Sequence, residues 1–287
     1  MDSDCVFDVL PGAAAVPVSV VKIRDDEAVE APDHLAVEEP LEIRLGGLAF
    51  TVTMRTPGHD EDLVAGLLHA EGIIRDADGV DVIAHYRGPA DDVDRGNVIN
   101  VILKGDVRLA RERLRRSLVA SSACGVCGKV TIEALRSARA PVRSDATVAP
   151  ALLHRLAASL TAAQAAFRRT GGLHAAALFD LDGGLLVLRE DVGRHNAVDK
   201  VVGHMLRAGD LPLDDRILMV SGRTSFEIMQ KAWTARIPIV VAVSAPSSMA
   251  VQMALAADIT LVGFLRRGGF NVYAAPHRVV TAVPEPV

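Results

Sequence analysis

Two of the chain's three cysteines stand with two residues between them, in Ser121-Ser122-Ala123-Cys124-Gly125-Val126-Cys127-Gly128-Lys129. Glycine follows each of them, so the loop can bend tightly and its backbone can approach a partner. Three chemistries suit such a pair. As a nucleophile or sulfur carrier, one cysteine must be available as thiolate. Lys129, the basic run Arg111–Arg116 upstream and the positive end of a helix predicted over Val130–Arg139 all favour that form. As a dithiol redox pair, the motif should open a helix directly after a strand, and the basic run before it weakens that reading. As a zinc site, one pair supplies only two ligands, and neither Cys5 nor any of the nine histidines stands at a spacing that completes the set. A turn with incidental cysteines fits this loop least well of the four.

A second group of residues recurs where predicted strands give way to helices or turns. These are Glu190-Asp191-Val192-Gly193-Arg194-His195-Asn196, Ser221-Gly222-Arg223-Thr224-Ser225, Ser244-Ala245-Pro246-Ser247-Ser248 and Arg266-Arg267-Gly268-Gly269. In open α/β sheets, ligands gather at the carboxyl ends of strands. Small residues admit a ligand close to the backbone, helix starts favour anions, and arginine clamps a phosphate through two donors. Any one of these loops reads as ordinary caps and turns. The recurrence of Arg194, Arg223, Arg266 and Arg267 across the set points to a phosphorylated or nucleotide-like ligand. His195 shares a strand end with these loops and is the better functional candidate among the histidines. His174, just before a predicted strand, and His59, His69, His85, His154, His204 and His277 read as ordinary polar residues. Asp60-Glu61-Asp62 complements a helix dipole, and Met249 and Met253 read as core.

The elements that must position these groups fall into two parts. The first half is β-rich. Strands are predicted at Val16–Arg24 and Val98–Leu103, and a hairpin joins Leu41–Leu45 to Ala49–Arg55 across Gly46-Gly47. One helix starts near Asp60 and carries apolar residues at three- and four-residue spacing. Ala140–Pro150 reads as a linker. Beyond it, helix Ala151–Arg168 leads to a hairpin of Ala175–Phe179 and Leu185–Arg189. Helices Asn196–Leu206, Ser225–Ala235 and Ser248–Ala257 then alternate with strands Arg216–Val220, Ile237–Val243 and Ile259–Leu265. Such alternation implies an α/β layer structure with mostly parallel pairing. The predicted division is a β-rich domain over 1–112, the cysteine loop with its helix and linker over 113–149, and an α/β domain over 150–287.

Half of the 287 residues are hydrophobic, which allows a sizeable core. Aromatics make up 3% and the net charge is −5, which argues against a nucleic-acid binder. There is no signal-peptide pattern and no apolar run of membrane-spanning length. The sequence reads as a soluble cytoplasmic protein.

Taken together, Thr56–Ile74, Ser121–Lys129, Gly172–Asp180, Glu190–Lys200, Ser221–Lys231, Ser244–Met249 and Gly263–Tyr273 resemble, in order, the formate dehydrogenase accessory sulfurtransferase family (FdhD). The resemblance implies a protein that takes sulfur from a cysteine desulfurase and passes it to the bis-molybdopterin guanine dinucleotide cofactor of formate dehydrogenase. The family's persulfide cysteine falls on Cys124, and its second cysteine, with a role left open, on Cys127. The cofactor-binding stretch falls on Phe264, Leu265, Arg266, Arg267, Gly268 and Gly269. Beside it stand the strand-end candidates Arg194, His195, Ser221, Gly222, Arg223 and Thr224. The resemblance further implies a homodimer and a C-terminal three-layer α/β domain of cytidine-deaminase type. The helix starts here lack the H-x-E and P-C-x-x-C signatures of zinc deaminases, so neither a metal nor hydrolytic deamination is expected. Two readings of other classes remain open: a molybdenum-cofactor-binding chaperone without sulfur chemistry, and a structural zinc module.

Overall fold

The computed structural model describes residues 12–86, 96–104 and 140–281. It opens with a two-stranded ribbon of β1 (Ala15–Arg24) and β2 (Glu27–Ala36). Their turn is Asp25-Asp26, with φ of 48° and 66°. A two-residue hairpin turn needs positive φ at both positions, and aspartate is among the few non-glycine residues that accept it. β2 escapes the sequence pattern because it is rich in acids and contains Pro32, which only an edge strand tolerates.

The glycine-turned hairpin forms as expected, from β3 (Glu39–Leu45) and β4 (Leu48–Arg55). With β5 (Val80–His85) and β6 (Val98–Leu103) it builds a four-stranded sheet in the order β4-β3-β6-β5, in which β3 and β6 run parallel. Helix α1 (Asp60–Ala70) lies on that sheet and packs Leu63, Val64 and Leu68 against Leu41, Ile43, Ile99 and Val101.

The C-terminal part begins with α2 (Pro150–Ala163) and α3 (Ala165–Thr170). The single helix predicted over Ala151–Arg168 is in fact two. Gln164 leaves helical geometry, and the Glu190 carboxylate accepts the Ala166 and Phe167 N–H groups at 2.9 and 2.7 Å, which starts a new helix. There follow β7 (His174–Phe179), β8 (Leu185–Asp191), α4 (Arg194–Ala208), β9 (Ile217–Val220), α5 (Phe226–Thr234), β10 (Ile239–Ala242), α6 (Ser248–Ala257), β11 (Thr260–Arg266) and β12 (Gly269–Ala274). The six strands stand in the order β12-β11-β10-β9-β7-β8. Only β9–β10 and β10–β11 pair in parallel. The expectation of mostly parallel pairing is corrected here: hairpins close both ends of the sheet, and β7 runs against β9.

Alternation along the strands divides the core. Ala176, Leu178, Leu218, Val220 and Val240 face α4, α5 and α6, whereas Ala175, Ala177, Phe179, Met219 and Val241 face α2. The result is a β-rich N-terminal part and a three-layer α/β part, the fold class expected from the sequence. Residues 140–149 run along the α/β part and supply core side chains from Val142, Ala146 and Val148. Among the described residues, no helix is long and apolar enough to cross a membrane.

The two parts meet where α1 crosses α4. A Cβ on Gly66 would lie 2.0 Å from the Asp199 carbonyl oxygen, and one on Gly203 would lie 1.8 Å from the Asp62 carbonyl oxygen. The helices therefore touch backbone to backbone. Buried ions surround the crossing. Asp62 accepts from Arg207 at 2.6 Å and Arg189 at 2.9 Å, and Lys231 donates to Asp199 at 2.7 Å. Arg55, almost fully buried, donates to Asp60, Glu39 and Asn97. Burial pushes the Asp60 and Asp62 carboxyls up. Hydrogen bonds and charge from His85 and Arg55 at Asp60, and from Arg207 and Arg189 at Asp62, outweigh that and hold both below the ordinary aspartate value of 3.8.

Two outcomes are expected from this packing. Gly203→Ala should destabilise by about 1–3 kcal/mol through overpacking, the reverse of the usual helical Gly→Ala gain; denaturant unfolding reads the sign. Asp62→Asn should cost about 3 kcal/mol at neutral pH, at the low end for a broken buried pair because Arg207 reaches solvent. A depressed folded pKa gives stability that is complete above the unfolded value of 3.8 and is lost as pH falls through the folded value. The gap between wild type and Asp62→Asn should therefore close below 3.8, which unfolding curves taken across acid pH will test.

Candidate functional site

The strand directions gather the arginine-bearing loops on one edge of the six-stranded sheet. The carboxyl ends of β8, β9, β10 and β11 and the amino end of β7 all open there, because β7 runs against both its neighbours. At about 4.8 Å per strand, β8 to β11 spans about 19 Å, enough for an extended ligand with more than one charged group.

Asp191 shapes the first loop. Its buried carboxylate pairs with Lys200 at 2.7 Å and accepts N–H bonds from Gly193 at 2.8 Å, Thr56 at 3.2 Å and the Asn196 side chain at 3.0 Å. The Lys200 ammonium also donates to the Thr56 carbonyl at 2.8 Å. This knot ties the turn before α4 to the N-terminal part and sets Arg194 and His195 at the helix start. The Arg194 Nε is buried with no hydrogen-bond partner among the described residues.

The second loop follows β9. Ser221 extends the ladder to Ala175 through its backbone N–H, and its hydroxyl accepts the Ala175 N–H, each at 2.9 Å. Thr224 is fully buried. Its N–H donates to the Ala245 carbonyl and its carbonyl accepts from Ser247 N–H, which stitches this loop to the next. Arg223 between them is exposed. His195 Nε2 lies 2.7 Å from a Glu227 carboxylate oxygen and 2.9 Å from the Ser225 hydroxyl. Burial pushes the Glu227 carboxyl up, but the His195 hydrogen bond and charge hold it below its ordinary value.

The remaining loops close the edge. Ser247 caps α6 by accepting the Ala250 N–H at 3.2 Å. A Cβ on Gly263 would meet the Tyr273 ring at 2.9 Å and Pro246 at 3.0 Å, so glycine lets β11 pass beneath the β10 loop. Phe264 then takes a left-handed backbone (φ 54°), donates its N–H to the Ser244 carbonyl at 3.2 Å and leaves its ring exposed. Leu265 points the other way, into the α2 side of the core, and so turns from the edge. The Arg266 guanidinium donates to the Val243 carbonyl. Arg267 and Gly268 stand exposed at the hairpin turn, and Gly269 begins β12.

The structure thus brings Arg194, His195, Ser221, Gly222, Arg223 and Thr224 together, with Phe264–Gly269 two strands away along the same edge. Cys124 and Cys127 lie outside the described residues. One residue that reads from sequence as an ordinary polar group joins the set. His174 opens β7 opposite Asp191, and its Nδ1 lies 3.1 Å from where a Gly222 Cβ would stand. Its place at the amino end of a strand antiparallel to its neighbours hides it from a search of carboxyl ends. Asp191 and Lys200 fall within stretches that the sequence singles out, but their buried pairing, which joins the end of β8 to α4, is not legible there.

The chemistry on offer at this edge is anion binding by guanidinium, imidazole and main-chain N–H donors. Comparison with known proteins gives the relatives of the whole chain. The model of the FdhD/NarQ family matches residues 36–280. The sulfur carrier protein FdhD of Streptomyces avermitilis is 49% identical over 273 residues, covering 91% of this chain and 94% of that one. The sulfur carrier protein FdhD of Mycobacterium tuberculosis is 46% identical over 274 residues, with 93% and 99% covered. The crystal structure of a candidate formate dehydrogenase accessory protein from Desulfotalea psychrophila superposes with a TM-score of 0.73 at 25% identity, covering 93% of this chain and 100% of that one. With the match running from the last residue of β2 to the residues after β12, across both parts and the arginine-lined edge of the second, this chain belongs to the FdhD/NarQ family.

Proposed function

We propose that this protein is a cytoplasmic sulfur carrier serving formate dehydrogenase, which moves sulfur from a cysteine desulfurase to bis-molybdopterin guanine dinucleotide. The observation that supports this most is the clustering of Arg194, Arg223, Arg266 and Arg267 on one sheet edge of a chain whose relatives are named sulfur carriers. The cofactor is cargo. Its phosphates meet the arginines and the α4, α5 and α6 starts. A homodimer suits a ligand with two nucleotide arms.

In the first step the Cys124 thiolate attacks the outer sulfur of the desulfurase persulfide. A new S–S bond forms on Cys124, and the desulfurase cysteine leaves as thiolate. Delivery as sulfide needs two electrons. Cys127 supplies them by closing a disulfide with Cys124 while hydrosulfide leaves. The hydrosulfide then gives the metal a sulfido ligand, and the displaced oxygen departs as water.

Two measurements bear on this. After incubation with a desulfurase and cysteine, wild type should gain one reducible sulfur atom on Cys124 by mass spectrometry. Cys124→Ala should gain none, and Cys127→Ala should load sulfur but release it only with an added thiol. Loading that survives in Cys124→Ala overturns the assignment. Arg223→Ala should weaken binding of a guanine dinucleotide by about 1.5–3 kcal/mol in calorimetry, and unchanged binding removes Arg223 from the site.

A further inference from the structure

His174 at the sheet edge is an ionisable group that the proposed function does not use. His174 is half-buried between the ends of β8 and β9. It pairs across the ladder with Asp191 at the end of β8, and the charges of Arg194 and His195 at the start of α4 and of Arg223 in the loop after β9 act on it. Gly222 packs against its ring so closely that a side chain there would press on Nδ1. His195 differs in kind, because a carboxylate oxygen and a hydroxyl already engage its Nε2. Among the described residues, no hydrogen bond holds the His174 ring.

We propose that His174 is a proton-linked binding residue of this edge, whose ring takes up a proton when a phosphate-bearing ligand settles between Arg194 and Arg223. This rests on the anion-edge reading above. Burial first, and then the charges of Arg194, His195 and Arg223, hold the free imidazole below the usual histidine value, with Asp191 pulling the other way. An anion cancels the repulsion from both guanidiniums, so the protonated ring is more favourable in the complex than in the free protein. The edge thereby avoids a further permanent cation when it is empty and gains one when it is filled. Linkage sets the sign: affinity is greatest below the free value, falls as pH rises, and levels off above the bound value. The acid and alkaline limits differ by about tenfold for every pH unit by which binding raises the imidazole pKa.

The test uses the full-length protein and a dinucleoside diphosphate diester of guanosine, whose bridging phosphates stay ionised across this range. Calorimetry from about pH 5.5 to about pH 8, in buffers of different ionisation enthalpy, reads affinity and proton uptake together. An imidazole pKa that rises by about one on binding gives about tenfold tighter binding at the acid end. His174→Gln should bind with a flat profile and no uptake, and His195→Gln should keep the uptake. If His174→Gln does not fold, the His174 ring signals of wild type, followed by NMR with and without ligand, must show the imidazole pKa rise on binding. A flat wild-type profile, uptake that survives in His174→Gln, or an imidazole pKa unmoved by ligand overturns the inference while the anion edge stands. Failure of wild type to bind at any pH overturns both.

Discussion

The two parts of the fold are joined through the crossing of α1 and α4 at Gly66 and Gly203. Each part of the chain has its own sheet, but α1 covers one sheet and α4 the other, so the two helices form a shared middle layer. Absence of side chains at the crossing brings the backbones into contact and carries the Asp62 and Asp199 carboxylates out of water with them. Asp62, Asp199 and their partners Arg189, Arg207 and Lys231 are therefore obligatory pairs, since a lone buried charge costs more than a matched pair contributes. Arg55, Asp60 and Thr56 extend the same layer to the loop that shapes the candidate site.

The electrostatics of the sheet edge follow from how its carboxylates are used. The chain carries a net charge of −5, yet this edge presents cations. Asp191 is committed to Lys200, Glu227 to His195, and Glu190 to the start of α3. Each of these three acids is thus occupied by an internal partner, whereas Arg223 and Arg267 are exposed. The field at the edge is the remainder after internal pairing, and overall composition carries no trace of it.

Much of this is legible from residue order. The helix expected over Val130–Arg139 lies outside the described residues, but the hairpin turned at Gly46-Gly47, the hairpin of Ala175–Phe179 and Leu185–Arg189, and the helices and strands that alternate after it stand close to their expected positions. So does the gathering of the serine- and arginine-bearing loops, because strand–helix alternation dictates which ends face one way. What stays hidden depends on contacts between distant residues. Strand β2 is held by ten register pairs to β1 rather than by its own composition. The break at Gln164 is made by Glu190, and the direction of β7, which decides where His174 lies, is set by pairing with β9. Leu265 falls by sequence within the ligand-facing stretch, although strand alternation sends it to the core.

The α1–α4 crossing also has a consequence in time. Gly66 is synthesised long before Gly203, and at ordinary elongation rates the gap is on the order of ten seconds. Throughout that interval the α4-facing side of α1 lacks its partner, and Asp62 lacks both Arg189 and Arg207. The N-terminal sheet can form as it emerges, but the middle layer must wait for the later half of the chain. The nascent protein is thus most open to aggregation and proteolysis before α4 arrives, and the two halves mature as one unit despite having separate sheets.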